Sequence, residues 1–229
     1  MSSLESRFHQ YVMESNKSNE DVDSISGLFD LGDGRSCKKP DYFLFARSVI
    51  LEKKTLCKDR APFFNEWLNK EAESDPWLSL NWLGSCSFED LVARHPDPEN
   101  FRRKAVSQFY KSFRNGIMRA AAKQLRLSQE FLQLHRSVKG LVVLNELVQS
   151  YGIRELAVEV EKNLGRDECE GLDFVLLISE IPVDHKNRTF PCELIISDKA
   201  YNPGIIKFHM RNFILGWSSF NGRPVIENT

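Results

Sequence analysis

PDYFLFARSVILEKK, residues 40–54, places Tyr42, Phe43, Phe45, Ala46, Val49 and Ile50 close together. Their spacing suits a helix, with a strand as the alternative. Read as a helix, this stretch opens a long helical region. Phe63, Phe64, Trp67 and Leu68 mark a helix over about 61–73. It stops at Asp75-Pro76, because proline disfavours helix in the residue before it. Ser87, followed by Glu89 and Asp90, predicts an N-cap with acids in the first turn and a short helix to about Arg94. Asp97-Pro98-Glu99 is the strongest start signal, a capping aspartate with proline at the first helical position. The helix it opens should reach about Leu127. A second long helix, capped by Ser128, should end near Tyr151-Gly152, and a third should cover 153–164 and close at Gly165.

Outside this region the pattern changes. Leu4, Phe8, Tyr11 and Val12 recur at helical spacing, and residues 16–26 are polar and acidic. The apolar runs Phe174-Val-Leu-Leu-Ile178 and Cys192-Glu-Leu-Ile-Ile196, joined by a polar turn, predict a hairpin. Residues 205–215 form a third element, strand or helix. The expected class is α+β, mainly α: a helical bundle with a small C-terminal β-hairpin or three-stranded element. Its expected parts are a mobile acidic N-terminal segment with a short helix (1–39), a helical core (40–165), and an α/β C-terminal segment packed on that core (166–229).

Composition narrows the function classes. Hydrophobic residues at 41% and charged residues at 28% exclude wholesale disorder. A net charge of -1 argues against a protein that coats nucleic acid. Cys37, Cys57, Cys86, Cys169 and Cys192 are widely spaced without a CxxC pair, which speaks for a reducing compartment and against a disulfide framework or a cysteine-pair zinc site. No stretch approaches the ~18 apolar residues of a membrane span, and the N-terminus lacks an apolar signal core. The expected location is cytoplasmic, with the nucleus as the alternative, and no membrane partner is expected.

One constellation rises above background. Residues 101–139 carry ten basic residues against the single acid Glu130. On a helical wheel Phe101, Ala105, Phe109, Phe113 and Ile117 share one face, while Arg103, Ser107, Lys111 and Arg114 share the other, with Lys104 beside them. Arg119 and Lys123 extend the basic series. Such a ribbon suits phosphate backbones through counterion release, or an acidic protein surface. The plainer reading is a solvated face neutralised by acidic stretches of the same chain. Trp77 and Trp82, in WLSLNWL, add a candidate aromatic contact patch.

No catalytic residue, metal or cofactor is assigned. His9, His95, His135, His185 and His209 form no i,i+4 ligand pair, and no GxSxG, Walker A or GxGxxG pattern occurs. Asp173 followed by Asp184-His185-Lys186 mimics the acid-then-acid-x-lysine arrangement of many metal-dependent nucleases, which need two carboxylates on a divalent metal and a lysine near the phosphate. A hairpin turn at 184–187 would separate these groups. The leading expectation is therefore a non-enzymatic accessory protein that binds a protein partner through the basic helix (101–126) and the aromatic patch. An RNA- or DNA-binding protein using the same helix is the alternative, and a metal-dependent nuclease is the second. A homodimer is also open.

Overall fold

A computed structural model describes residues 2–25, 27–29, 38–84, 86–182 and 190–223. In chain order the elements begin with α1 (Leu4–Ser15), β1 (Glu20–Asp21), β2 (Tyr42–Leu44) and β3 (Val49–Leu56). Helices α2 (Ala61–Ala72), α3 (Pro76–Asn81), α4 (Phe88–Arg94), α5 (Pro98–Phe109) and α6 (Lys111–Phe113) follow. A π-helical segment over Arg114–Arg119 leads into α7 (Ala120–Phe131). The chain then forms β4 (Val138–Asn145), α8 (Ile153–Leu164), β5 (Phe174–Ser179), β6 (Cys192–Ile196) and α9 (Pro203–Phe220). It divides into two compact units, Met1–Cys57 with Gly116–Thr229, and Lys58–Asn115.

The first unit overturns the expected helical bundle. Its six-stranded sheet runs β1-β2-β3-β4-β5-β6. β3, β4 and β5 are mutually parallel, and the other neighbours pair antiparallel. The chain is thus a mixed α/β fold, with strands interleaved with helices along most of its length. Residues 138–145, expected inside a helix capped by Ser128, form the fully paired strand β4. An interior parallel strand is covered on both faces, so it reads as a continuous apolar run rather than an alternation. Ser128 lies inside α7, where its hydroxyl donates to the carbonyls of Gln124 and Lys38. Residues 40–54 take the strand alternative, as β2 and β3.

Side-chain alternation along the strands assigns the two faces. Tyr42, Leu44, Val49, Leu51, Val142, Leu144, Phe174, Leu176 and Ile178 pack with α1 and α9. Phe8 lies edge-on to Phe213 and Trp217, with centroids 6.0 and 5.9 Å away. The buried Tyr11 hydroxyl donates to the Phe213 carbonyl at 2.5 Å. α7 and α8 cover the other face, as the crossovers β3–α7–β4 and β4–α8–β5 require when consecutive parallel strands step in one direction. Gly140 makes room for the fully buried Phe174 ring, which a Cβ at 140 would overlap.

The β2–β3 turn is unusual. Phe45, Ala46 and Arg47 all have positive φ, at 52°, 53° and 65°. Three non-glycine residues in this region cost energy that their surroundings must offset. Asn19 Oδ1 accepts from Phe45 N at 3.0 Å, Ser18 Oγ from Ala46 N at 3.1 Å, and Glu20 pairs with Arg47 at 2.7 Å.

The second unit is helical. Leu68, Leu78, Leu91, Val92 and Phe101 form its centre, with Phe64, Trp67, Trp77 and Trp82 packed around them. Asp75, Ser87 and Asp97 cap α3, α4 and α5 by accepting first-turn backbone N–H groups, as the sequence predicts for the last two. The expected continuous basic helix is interrupted at Tyr110 and again by the π segment. α8 closes at Gly165 as predicted, and β5 and β6 pair antiparallel, but as part of the six-stranded sheet rather than as a separate C-terminal hairpin.

Candidate active site

The site grows from the β2–β3 hairpin, at the end away from the strained turn. Pro40 is buried, and the residue after it, Asp41, enters the sheet. Asp41 N donates to the Leu51 carbonyl at 3.1 Å, and Asp41 Oδ2 accepts from Lys53 N at 2.6 Å. The carboxylate is therefore fixed against β3 through one oxygen. Tyr42 pairs with Leu51, so Asp41 falls beside Glu52, on the sheet face that α7 covers.

Glu52 is the anomaly of the sheet. It sits in an interior strand and is only 1% exposed. Two positions on, along the same face, Lys54 donates Nζ to Glu52 Oε1 at 2.5 Å. From α7, Gln124 Nε2 reaches Glu52 Oε2 at 2.6 Å and the Lys39 carbonyl at 2.6 Å. One glutamine thus ties the helix both to the buried acid and to the segment leading into Asp41. Burial pushes the Glu52 carboxyl up to about 7, with the Asp41 charge adding to it and Lys54 opposing. Burial likewise raises Asp41, against the Lys53 amide. On the opposite face Lys53 pairs with Glu5 of α1, whose second oxygen accepts from Thr55 at 3.1 Å.

A buried acid held next to a second acid is costly unless a cation compensates. Two carboxylates and neighbouring carbonyls are hard oxygen donors, suited to Mg²⁺ or Mn²⁺ rather than to Zn²⁺ or copper. Among the described residues no group of three or more His, Cys, Asp or Glu side chains could hold a metal. Mg²⁺ needs only one or two carboxylates when water and substrate phosphate complete its shell; here both Glu52 oxygens already accept from Lys54 and Gln124.

The residues singled out from sequence are dispersed. Arg103, Lys104, Lys111 and Arg114 belong to the helical unit; Arg119 and Lys123 belong to the sheet unit. Lys104 pairs with Glu71 and Arg119 with Glu168, while Arg114 donates to the Ser107 carbonyl at 2.6 Å. Arg103 bonds Asn100 at 2.9 Å but remains exposed, as do Lys111 and Lys123. Trp77 and Trp82 are half-buried against the helical core, and Trp82 Nε1 donates to Asn69 at 2.7 Å. Asp184 and Lys186 lie outside the described residues. Asp173 is buried and committed to structure, accepting from Lys139 N at 2.7 Å and pairing with Lys139 Nζ at 3.4 Å. The acid-then-acid-x-lysine order sought there is present at Asp41 and Glu52-Lys53-Lys54. That order was the available signal, masked by the helical reading of 40–54. Comparison with family models, curated proteins and solved structures finds no match for the chain. Among the described residues no helix is long and apolar enough to cross a membrane.

Proposed function

We propose that this chain is a divalent-cation-dependent phosphodiesterase of the nuclease type. The carrying observation is Glu52, an acid 1% exposed in an interior strand, set beside Asp41 and paired to Lys54. Asp41 and Glu52 hold the cation in this reading. When bound, the cation polarises a phosphoryl oxygen and lowers the pKa of a water nucleophile. Lys54 supplies a positive charge beside the carboxylates, where negative charge on an attacked phosphate would develop. Gln124 is a positioning residue that fixes the Glu52 rotamer through Oε2.

The test is cleavage of plasmid DNA and of single-stranded DNA and RNA with Mg²⁺ or Mn²⁺, alongside calorimetric cation titration. Asp41→Asn and Glu52→Gln should lose cation binding and at least on the order of 100-fold in cleavage rate. Lys54→Ala should lose cleavage by a similar factor while still binding the cation. Wild-type protein that neither binds nor responds to either cation would sink the proposal. The exposure of Arg103 and Lys111 favours a second reading, a non-enzymatic protein that binds nucleic acid or an acidic protein through α5 and α6. Nucleic-acid binding without cleavage would support it.

A further inference from the structure

The helical unit carries a cleft of about 420 Å³, within the range of small-ligand sites. Phe64 and Phe109 line it. They meet edge to face with centroids 5.5 Å apart, and Phe64 also stacks on Trp67 at 5.3 Å, so this wall is locked into the helical core. Phe63 lies beside it and is of a different kind. It is 51% exposed while its neighbour Phe64 is half-buried, and the Arg60 guanidinium lies 5.1 Å from its ring centroid. Lys111 adds a second cation, and Gln108 and Asn115 add amides able both to donate and to accept. Among the described residues no acid lines the cleft.

An exposed ring, two cations and two amides make a poor site for an apolar peptide and a good one for a nucleotide. A base has a π-face for Phe63, edge groups for the amides and a phosphate for Arg60 and Lys111. A base inside a duplex cannot present its face, whereas an unpaired one can. We infer that the helical unit is a single-strand recognition module, with one unpaired base of a DNA or RNA chain stacked on Phe63 and its phosphate held by Arg60 and Lys111. The assignment rests on the nuclease reading for its purpose, because the module is inserted directly after the strand that bears Glu52 and Lys54.

Binding and cleavage test it separately. The full chain, in EDTA and moderate salt, is titrated against fluorescent single-stranded DNA, single-stranded RNA and duplex DNA of equal length. Single strands of at least one sugar should bind on the order of 10-fold or more tighter than duplex. Phe63→Ala should weaken that binding about 5- to 100-fold, and Phe63→Trp should restore it. Lys111→Ala should weaken it and flatten its salt dependence. Equal affinity of wild type and Phe63→Ala, with both folded by circular dichroism, would overturn the assignment, as would a preference for duplex. In cleavage, Phe63→Ala should raise KM and leave kcat within about threefold. Binding that persists without any cation-dependent cleavage would remove the nuclease reading and leave the module standing.

Discussion

Glutamine at position 52 keeps the shape of the buried side chain and removes its titration. The wild-type carboxyl lies near 7 rather than at 4.5, chiefly because burial penalises its charge. A raised carboxyl favours the folded state while protonated. That contribution is fully present below pH 4.5 and is lost as pH rises through about 7. At ~1.36 kcal/mol per tenfold change in the proton equilibrium, the whole span is worth about 3 kcal/mol, most of which falls between pH 5 and pH 8. Without divalent cations, Glu52→Gln should therefore gain about 2–3 kcal/mol on the wild type between these pH values. In a chain of this size that corresponds to ~5–10 °C in melting temperature. Urea denaturation in EDTA at both pH values, read by hydrogen exchange of β4 and β5 peptides, follows the sheet unit itself. Adding 10 mM Mg²⁺ at pH 8 should restore ~1.4 kcal/mol to the wild type for a dissociation constant of ~1 mM, and nothing to the variant. Parallel pH profiles for the two proteins would refute the premise that burial outweighs Lys54 and Gln124 at the Glu52 carboxyl.

Two substitutions test the frame that holds the site. Gly140→Ala would push a methyl into the fully buried Phe174 ring, and should cost ~2–3 kcal/mol in urea denaturation. Ala46→Gly should raise stability by ~1 kcal/mol in a thermal melt, because Ala46 is exposed and holds φ at 53°, a value glycine adopts without penalty.

The parts of the fold written in local chemistry were readable from sequence. Ser87 and Asp97 announce their helices because a short polar side chain followed by acids or proline meets the unpaired N–H groups of a first turn. The sheet was hidden by two features. β4 is buried on both faces and loses the alternation that marks a strand, although its valines and Gly140 were available signs. The β2–β3 hairpin turns on Phe45, Ala46 and Arg47, where glycine, asparagine or proline would have announced it. Asn19 and Ser18, far upstream, supply the hydrogen bonds that make this turn tolerable, and no local reading weighs them. With the hairpin unseen, Asp41 and Glu52 had no reason to be neighbours. Asp173, the other acid with this spacing to an acid-x-lysine, has its carboxylate bound to Lys139.

The insertion between β3 and α7 also has a consequence for synthesis on the ribosome. The native partners of β3 are β2, just upstream, and β4, which is made only after residues 57–137. At ~5–20 residues per second that interval is roughly 4–16 s, during which one side of β3 offers unpaired backbone to any passing strand. Aliphatic residues at 49–51 would invite such pairing. Glu52, Lys53 and Lys54 come directly after them, and charges flanking an apolar strand are what discourage intermolecular pairing. The same residues that hold the candidate chemistry in the finished molecule thus guard the nascent chain until β4 arrives.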